Sequence, residues 1–152
     1  MLAASRFGIT STLAAPLKQL SDTRRPRNDC DKAASACIDL SDGLADGITR
    51  IAEASCVGIT LDADTIPVDP DAARWFAGRS EHPLLSAMSG GDDYELLFTV
   101  RPRLRGRLKA AFRHGGTPLT RIGVCTNDGR LSIRSSESTD VLPVPAGFSH
   151  FR

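Results

Sequence analysis

The chain has 152 residues, enough for one domain of ordinary size and too few for two. A hydrophobic fraction of 41% and a charged fraction of 24% are those of a globular chain, not a disordered one. With 19 basic against 18 acidic residues the net charge is +1, which argues against a dedicated nucleic-acid binder, and no apolar run approaches the roughly 20 residues that cross a bilayer.

Residues 1–32 read as a loosely ordered leader and linker. Met1 to Leu20 carries Arg6 and Lys18 with no acid, and two basic residues are few for a transit peptide. Residues 21–32 are polar, with Pro26 among them. The domain is expected over 33–152. Ala33 to Leu40 is small and apolar, as a buried strand is, and runs into Ser41-Asp42-Gly43, a helix-start signal with Asp42 as N-cap. Leu44, Ile48, Ile51 and Ala52 recur at helical spacing, which predicts an amphipathic helix over 43–55 ended by Gly58. Ile59 to Leu61 begins a second strand, and residues 62–73, with Pro67 and Pro70, read as turns. A short helix over Pro83 to Ser89 leads to Gly90-Gly91.

Tyr94 to Val100 is rich in β-formers and predicts a strand. Leu104, Leu108, Ala111 and Phe112 lie on one face of a helix predicted over 103–113. Arg121 to Cys125 and Leu131 to Arg134 flank Asn127-Asp128-Gly129, a hairpin signal. Helices, crossovers and a hairpin together predict an α+β layered domain. The cysteines Cys30, Cys37, Cys56 and Cys125 form no CxxC pair and stand far from the histidines, which argues against zinc. Cys37 and Cys56 are expected as small core residues, reduced in a cytoplasmic protein.

Two segments carry chemistry. In Asp39-Leu40-Ser41-Asp42-Gly43 two carboxylates and a hydroxyl fall at the end of a strand and the start of a helix. Such oxygens suit Mg²⁺, and the amides of a helix start favour a phosphate oxygen. An N-cap beside a surface turn accounts for the same residues. In Gly90-Gly91-Asp92-Asp93-Tyr94-Glu95 two glycines permit close backbone approach, and three acids within four residues call for a cation or open solvent. The basic run from Arg101 to Arg113 keeps helical spacing and reads as a solvated helix face. No P-loop, GxGxxG, GxSxG or HExxH motif occurs.

CIDLSDGLADGITRIAEAS at 37–55, GGDDYELLFTV at 90–100 and GFSHF at 147–151 resemble, in order, the motifs of the thiamine-monophosphate kinases. That family belongs to the superfamily of aminoimidazole ribonucleotide synthetase, whose members bind ATP between two domains. The resemblance implies a C-terminal domain and the transfer of the γ-phosphoryl group of ATP to thiamine monophosphate. By motif position it makes Asp39 and Asp42 ligands of Mg²⁺ and gives Ser41 a contact to ATP. It sets Asp92 at the thiamine moiety and Phe148 against its rings, where an aromatic face favours a cation. The family's N-terminal domain, with most of the Mg²⁺ ligands and the dimer interface, has no counterpart in these motifs. Activity is therefore expected only with that domain, from a separate chain, and a homodimer is a further expectation. Gly47 stands where the family has an acid, Cys56 where it has glycine and Ser149 where it has Asp. Two alternatives stay open: another ATP-using enzyme of the superfamily, of selenophosphate synthetase or hydrogenase-maturation type, and a non-catalytic ligand-binding remnant.

Overall fold

Hydrophobic alternation and β-branched residues build the sheet first. In the computed structural model, which describes residues 9–14, 34–91, 95–106, 119–136 and 141–147, the strands are β1 (Ile9–Ala14), β2 (Ala34–Asp39), β3 (Gly58–Asp62), β4 (Leu96–Val100), β5 (Leu119–Thr126), β6 (Leu131–Arg134) and β7 (Val141–Pro143). They form one sheet in the order β2-β4-β1-β5-β3-β6-β7. The β3–β6 pair is parallel and the others antiparallel, so the sheet is mixed. The helices are α1 (Leu44–Ser55), α2 (Pro70–Ala77) and α3 (Pro83–Ser89). This is the α+β architecture expected.

The periodicity of α1 decides which sheet face is covered. Leu44, Ala45, Ile48, Ile51 and Ala52 are buried and share one core with Ile59, Leu61, Leu97, Ile122 and Ile133 of the sheet and Met88 of α3. Each fully buried Leu or Ile contributes about 1.5–3 kcal/mol relative to exposure. Gly47 belongs to the same face: a Cβ there would come 2.5 Å from Leu40 Cδ2, so the helix rests close on the strand's end. Phe98 and Val100 form a second cluster with Leu96, Leu104 and Leu119. The buried Thr99 hydroxyl is satisfied by Ser35 Oγ at 3.0 Å.

Five expectations need correction. Ile9–Ala14, read within the leader, are β1, paired in register with β4 (Thr12 opposite Phe98) and with β5. The rest of 1–32 lies outside the described residues. The expected hairpin is not one, because β3 lies between β5 and β6. The connection over Asn127-Asp128-Gly129 is closed by Asp128, whose Oδ1 accepts from Thr126 Oγ1 and from Arg130 N. It crosses the start of β3 at Gly58, where a Cβ would lie 2.2 Å from Asp128 Oδ1, and Ile59 N donates to Arg130 O at 2.8 Å.

Within 62–73, read as turns, α2 begins: Asp69 Oδ1 accepts from Asp71 N and Ala72 N, and Pro70 takes the first helical position. The caps of α1 also differ. Gly43, at φ 87, is the N-cap rather than Asp42, and the C-cap is Cys56 in the left-handed conformation (φ 51, ψ 46) rather than Gly58. Finally, Cys37 and Cys56 are exposed and only Cys125, among the described cysteines, is buried. Of the helix predicted over 103–113, residues 102–104 form a 3-10 turn and 107–113 lie outside the described residues.

Candidate functional site

The β2–α1 connection is where the first motif turns. β2 is an edge strand whose residues alternate half-buried and exposed, so Asp39 at its end is exposed. Leu40 then plunges into the core, its N–H donating to Glu95 O at 2.9 Å, and Ser41 is again exposed. Asp42 is half-buried, with Oδ2 3.9 Å from Arg50 Nη2. Arg50 also pairs with Asp46 one turn earlier on α1, and that hydrogen bond, with the charge of Asp46, raises the guanidinium's pKa. One arginine thus faces two carboxylates at the start of α1.

Glycines bring the motifs together. The antiparallel β2–β4 pair sets Asp39 opposite Leu96 and Cys37 opposite Phe98, which joins the first motif to the second along the sheet. Beyond the strands a Cβ on Gly43 would stand 1.8 Å from Gly90 O, and one on Gly91 would stand 2.9 Å from Ser41 O. A Cβ on Gly147 would lie 2.7 Å from Asp46 Cβ. Real Cβ atoms essentially never approach so closely, so backbone packs on backbone at all three places. Segments 41–43, 90–91 and 147 therefore meet at the N-terminal end of α1. Sequence reading placed each motif but not this contact, for which the glycines were the signal.

Asp39, Ser41 and Asp42 fall within four consecutive positions of this connection. Asp92 and Phe148 lie outside the described residues, although Gly91 and Gly147, which precede them, are in the junction. Among the described residues no group of three or more His, Cys, Asp or Glu side chains stands ready to hold a metal. Nor is any described helix long and apolar enough to cross a membrane.

A cleft of about 340 Å³ opens beside the junction, between α2, α3 and the first turn of α1. Leu40, Leu44, Phe76 and Met88 give it apolar walls, and among the described residues Asp69 and Glu95 are the charged ones that line it. Sequence reading missed it because it missed α2, whose Asp-Pro start was the available signal. A second, more open cleft of about 530 Å³ lies over β3, β5 and β6, with Arg121 and Arg134 balanced by Asp62 and Asp64. There Asp64 accepts from Ser135 Oγ, Ser136 N and Ser136 Oγ, and the Ser136 bonds foremost lower its pKa.

Known proteins share this framework. Residues 2–136 match the family described as AIR synthase related protein, C-terminal domain. The chain is 40% identical over 123 residues to a thiamine-monophosphate kinase of Escherichia coli (strain K12), covering 78% of this chain and 36% of that protein. It is 34% identical over 139 residues to a thiamine-monophosphate kinase of Rhodopirellula baltica, covering 91% and 40%. The solved structure of AaThiL complexed with AMPPCP and TMP matches with a TM-score of 0.66 at 20% identity, over 97% of this chain and 52% of that one. E. coli HypE, a hydrogenase maturation protein, matches with a TM-score of 0.69 at 14% identity, over 93% and 51%. At those identities the two structures speak for a shared fold alone. The chain spans well under half the length of the curated relatives it matches. With a family match running from β1 through β6, and the motif junction built on that same fold, the chain belongs to the AIR synthase related proteins, as their C-terminal domain.

Proposed function

We propose that this chain serves as the C-terminal half of a thiamine-monophosphate kinase, which transfers the γ-phosphoryl group of ATP to thiamine monophosphate and forms thiamine diphosphate. The observation that carries this reading is the meeting of residues 41–43, 90–91 and 147 at the start of α1. Three motifs far apart in the chain are thereby brought to one end of one helix, as a shared site requires. The names of the relatives at 34% and 40% identity favour a kinase over the hydrogenase-maturation alternative, and AaThiL was solved with AMPPCP and TMP.

The chemistry asks little of any base, because the attacking phosphate oxygen is already ionised near neutral pH. It asks for two anionic groups to be held in line and their charge offset. Asp39 and Asp42 suit Mg²⁺: both are hard oxygen donors, and Mg²⁺ takes one or two carboxylates and completes its shell with water and phosphate. Asp42 already meets a cation, Arg50, in this structure. Mg²⁺ bound there supplies charge neutralisation for the phosphate oxygens. The exposed Ser41 hydroxyl donates to ATP, and the first-turn amides of α1 favour an anion beside them. Asp92 offers its carboxylate to the cationic thiazolium, and Phe148 its ring face. Further carboxylates come from the N-terminal domain that such kinases carry, supplied by a partner chain; a homodimer of this chain and a cytoplasmic location belong to the same reading.

A calorimetric titration tests this. The chain mixed with the N-terminal domain of the E. coli relative is expected to bind AMPPCP only with Mg²⁺ present, and thiamine monophosphate with or without it. Metal-independent nucleotide binding, or no binding of thiamine monophosphate by the folded mixture, overturns the reading.

A further inference from the structure

We infer that Asp46 and Arg50 are positioning residues for the start of α1: Asp46 tethers the Arg50 guanidinium so that it screens Asp42 without closing on it, and the pair sets how tightly Asp42 takes a divalent cation. That this cation is the Mg²⁺ of a nucleotide rests on the kinase reading above; the tether rests on the geometry of α1. Asp42, just before the helix, and Asp46 and Arg50 within it stand four residues apart, so they share one side of α1 while Leu44, Ile48 and Ile51 turn to the core. Arg50 Nε donates to Asp46 Oδ2, whereas its Nη2 stops 3.9 Å from Asp42 Oδ2, beyond hydrogen-bond reach. The guanidinium thus belongs to Asp46 and acts on Asp42 through charge. An acid four residues before a base is the favourable order on a helix.

Exposure gives the arrangement its direction. The Arg50 side chain is 58% exposed, against 29% for Asp42 and 23% for Asp46, so the guanidinium lies on the solvent side of both carboxylates. A cation at Asp42 therefore feels the charge of Arg50. Asp46 is itself held: a Cβ on Gly147 would come 2.7 Å from Asp46 Cβ and 3.0 Å from its Cα and N, so the chain at 147 packs directly on the residue that bears the tether. Glu53 also acts on Arg50, more weakly than Asp46 or Asp42. Arg50 can yield Asp42 to a divalent ion and still keep its partner. Without the Asp46 carboxylate, the same arginine has Asp42 as its nearest acid and competes with the ion for it.

Mn²⁺, a paramagnetic stand-in for Mg²⁺, is the probe, titrated into the purified 152-residue chain at low ionic strength and followed by electron paramagnetic resonance. Asp42→Asn identifies the binding that belongs to this carboxylate. Against wild type, Arg50→Gln is expected to bind Mn²⁺ about three- to tenfold more tightly and Asp46→Asn about three- to tenfold more weakly, the scale of one solvent-screened charge beside a divalent ion. In the Arg50→Gln background Asp46→Asn should weaken binding only about twofold, because Asp46 acts mainly through Arg50. Arg74→Gln, which breaks the Arg74–Asp71 pair on α2 and removes the same charge, should leave the affinity unchanged. Melting curves confirm that each variant folds. The inference is overturned if Arg50→Gln binds no more tightly than wild type, if Asp46→Asn weakens binding equally with and without Arg50, or if no Mn²⁺ binding is lost in Asp42→Asn. The two readings fail separately. Unchanged Mn²⁺ affinities in a chain whose mixture with the N-terminal domain binds AMPPCP and thiamine monophosphate sink the tether alone. The expected Mn²⁺ affinities in a chain whose mixture binds no thiamine monophosphate sink the kinase alone.

Discussion

Replacing Gly43 by alanine attacks the motif junction at its tightest point. Gly43 sits at φ 87 and ψ 171, a region essentially reserved for glycine, where another residue costs about 1–3 kcal/mol. The new Cβ also meets Gly90 O at 1.8 Å, and the carbonyl that must retreat is backbone at the end of α3, not a flexible side chain. Forced overpacking of this kind costs about another 1–3 kcal/mol. Alanine's smaller unfolded-state entropy returns about 0.4–1 kcal/mol. The net expectation is a loss of about 3 kcal/mol, or a melting point lower by about 6–12 °C for a domain of this size. Gly129 is the internal control. It too has positive φ, 68, but a Cβ there meets nothing within 4 Å, so Gly129→Ala should lose only about 1 kcal/mol. Urea unfolding of the two variants, followed by circular dichroism, measures the difference. If they unfold within about 0.5 kcal/mol of each other, the Gly43–Gly90 contact is not what the structure makes it, and the packing of the motifs falls with it.

Four other outcomes are expected. Cys56→Gly relieves the left-handed C-cap of α1 and should stabilise the chain by about 1 kcal/mol, read as a higher urea midpoint. The Ser136 and Ser135 bonds hold the Asp64 carboxyl below its usual range, so its stabilisation is present above about pH 4 and is lost as pH falls through the lowered value; the gap in melting point between wild type and Asp64→Asn should close on acidification and stay constant above pH 6. Burial pushes the Cys125 thiol up to about 11, so iodoacetamide at pH 8 should modify Cys56 in the native chain and Cys125 only after denaturant is added, as peptide mass mapping would record. Because Asp42 is not the cap of α1, Asp42→Asn should leave the melting point within about 2 °C while sharply weakening the Mg²⁺-dependent binding of AMPPCP in the mixture with the N-terminal domain.

What was legible in the sequence was local. The apolar face of α1 repeats strictly enough that Leu44, Ile48, Ile51 and Ala52 were placed correctly, and β2, β3 and β4 follow from short runs of β-formers bounded by turn residues. Pairing is not local. Residues 121–134 carry every mark of a hairpin, yet β3 lies between the two strands, and no feature of the turn itself records a strand contributed from far earlier in the chain, Gly58–Asp62. Ile9–Ala14 is strand-like only as a partner for β4 and β5, since its Thr-Ser-Thr centre resembles a linker when read alone. The caps mislead for a related reason. Asp42 is an excellent capping residue by type, but the close approach of 90–91 requires positive φ at the next position, and Gly43 meets that demand. The same holds at the site: Asp39, Ser41 and Asp42 could be singled out by chemistry, whereas the cleft depends on how α2 and α3 fold back, which only the three-dimensional packing discloses.

Thiamine diphosphate formation from ATP and thiamine monophosphate tests the central claim most directly, with the purified chain assayed alone and with the N-terminal domain of the E. coli relative added. Kinases turn over at about 1–100 s⁻¹ when both phosphates are held and their charge is offset in a site shielded from water. The account predicts product in that range, dependent on Mg²⁺, only when the added domain is present, with the chain alone showing none. No product from the folded mixture, or the same rate from the chain alone, would contradict it.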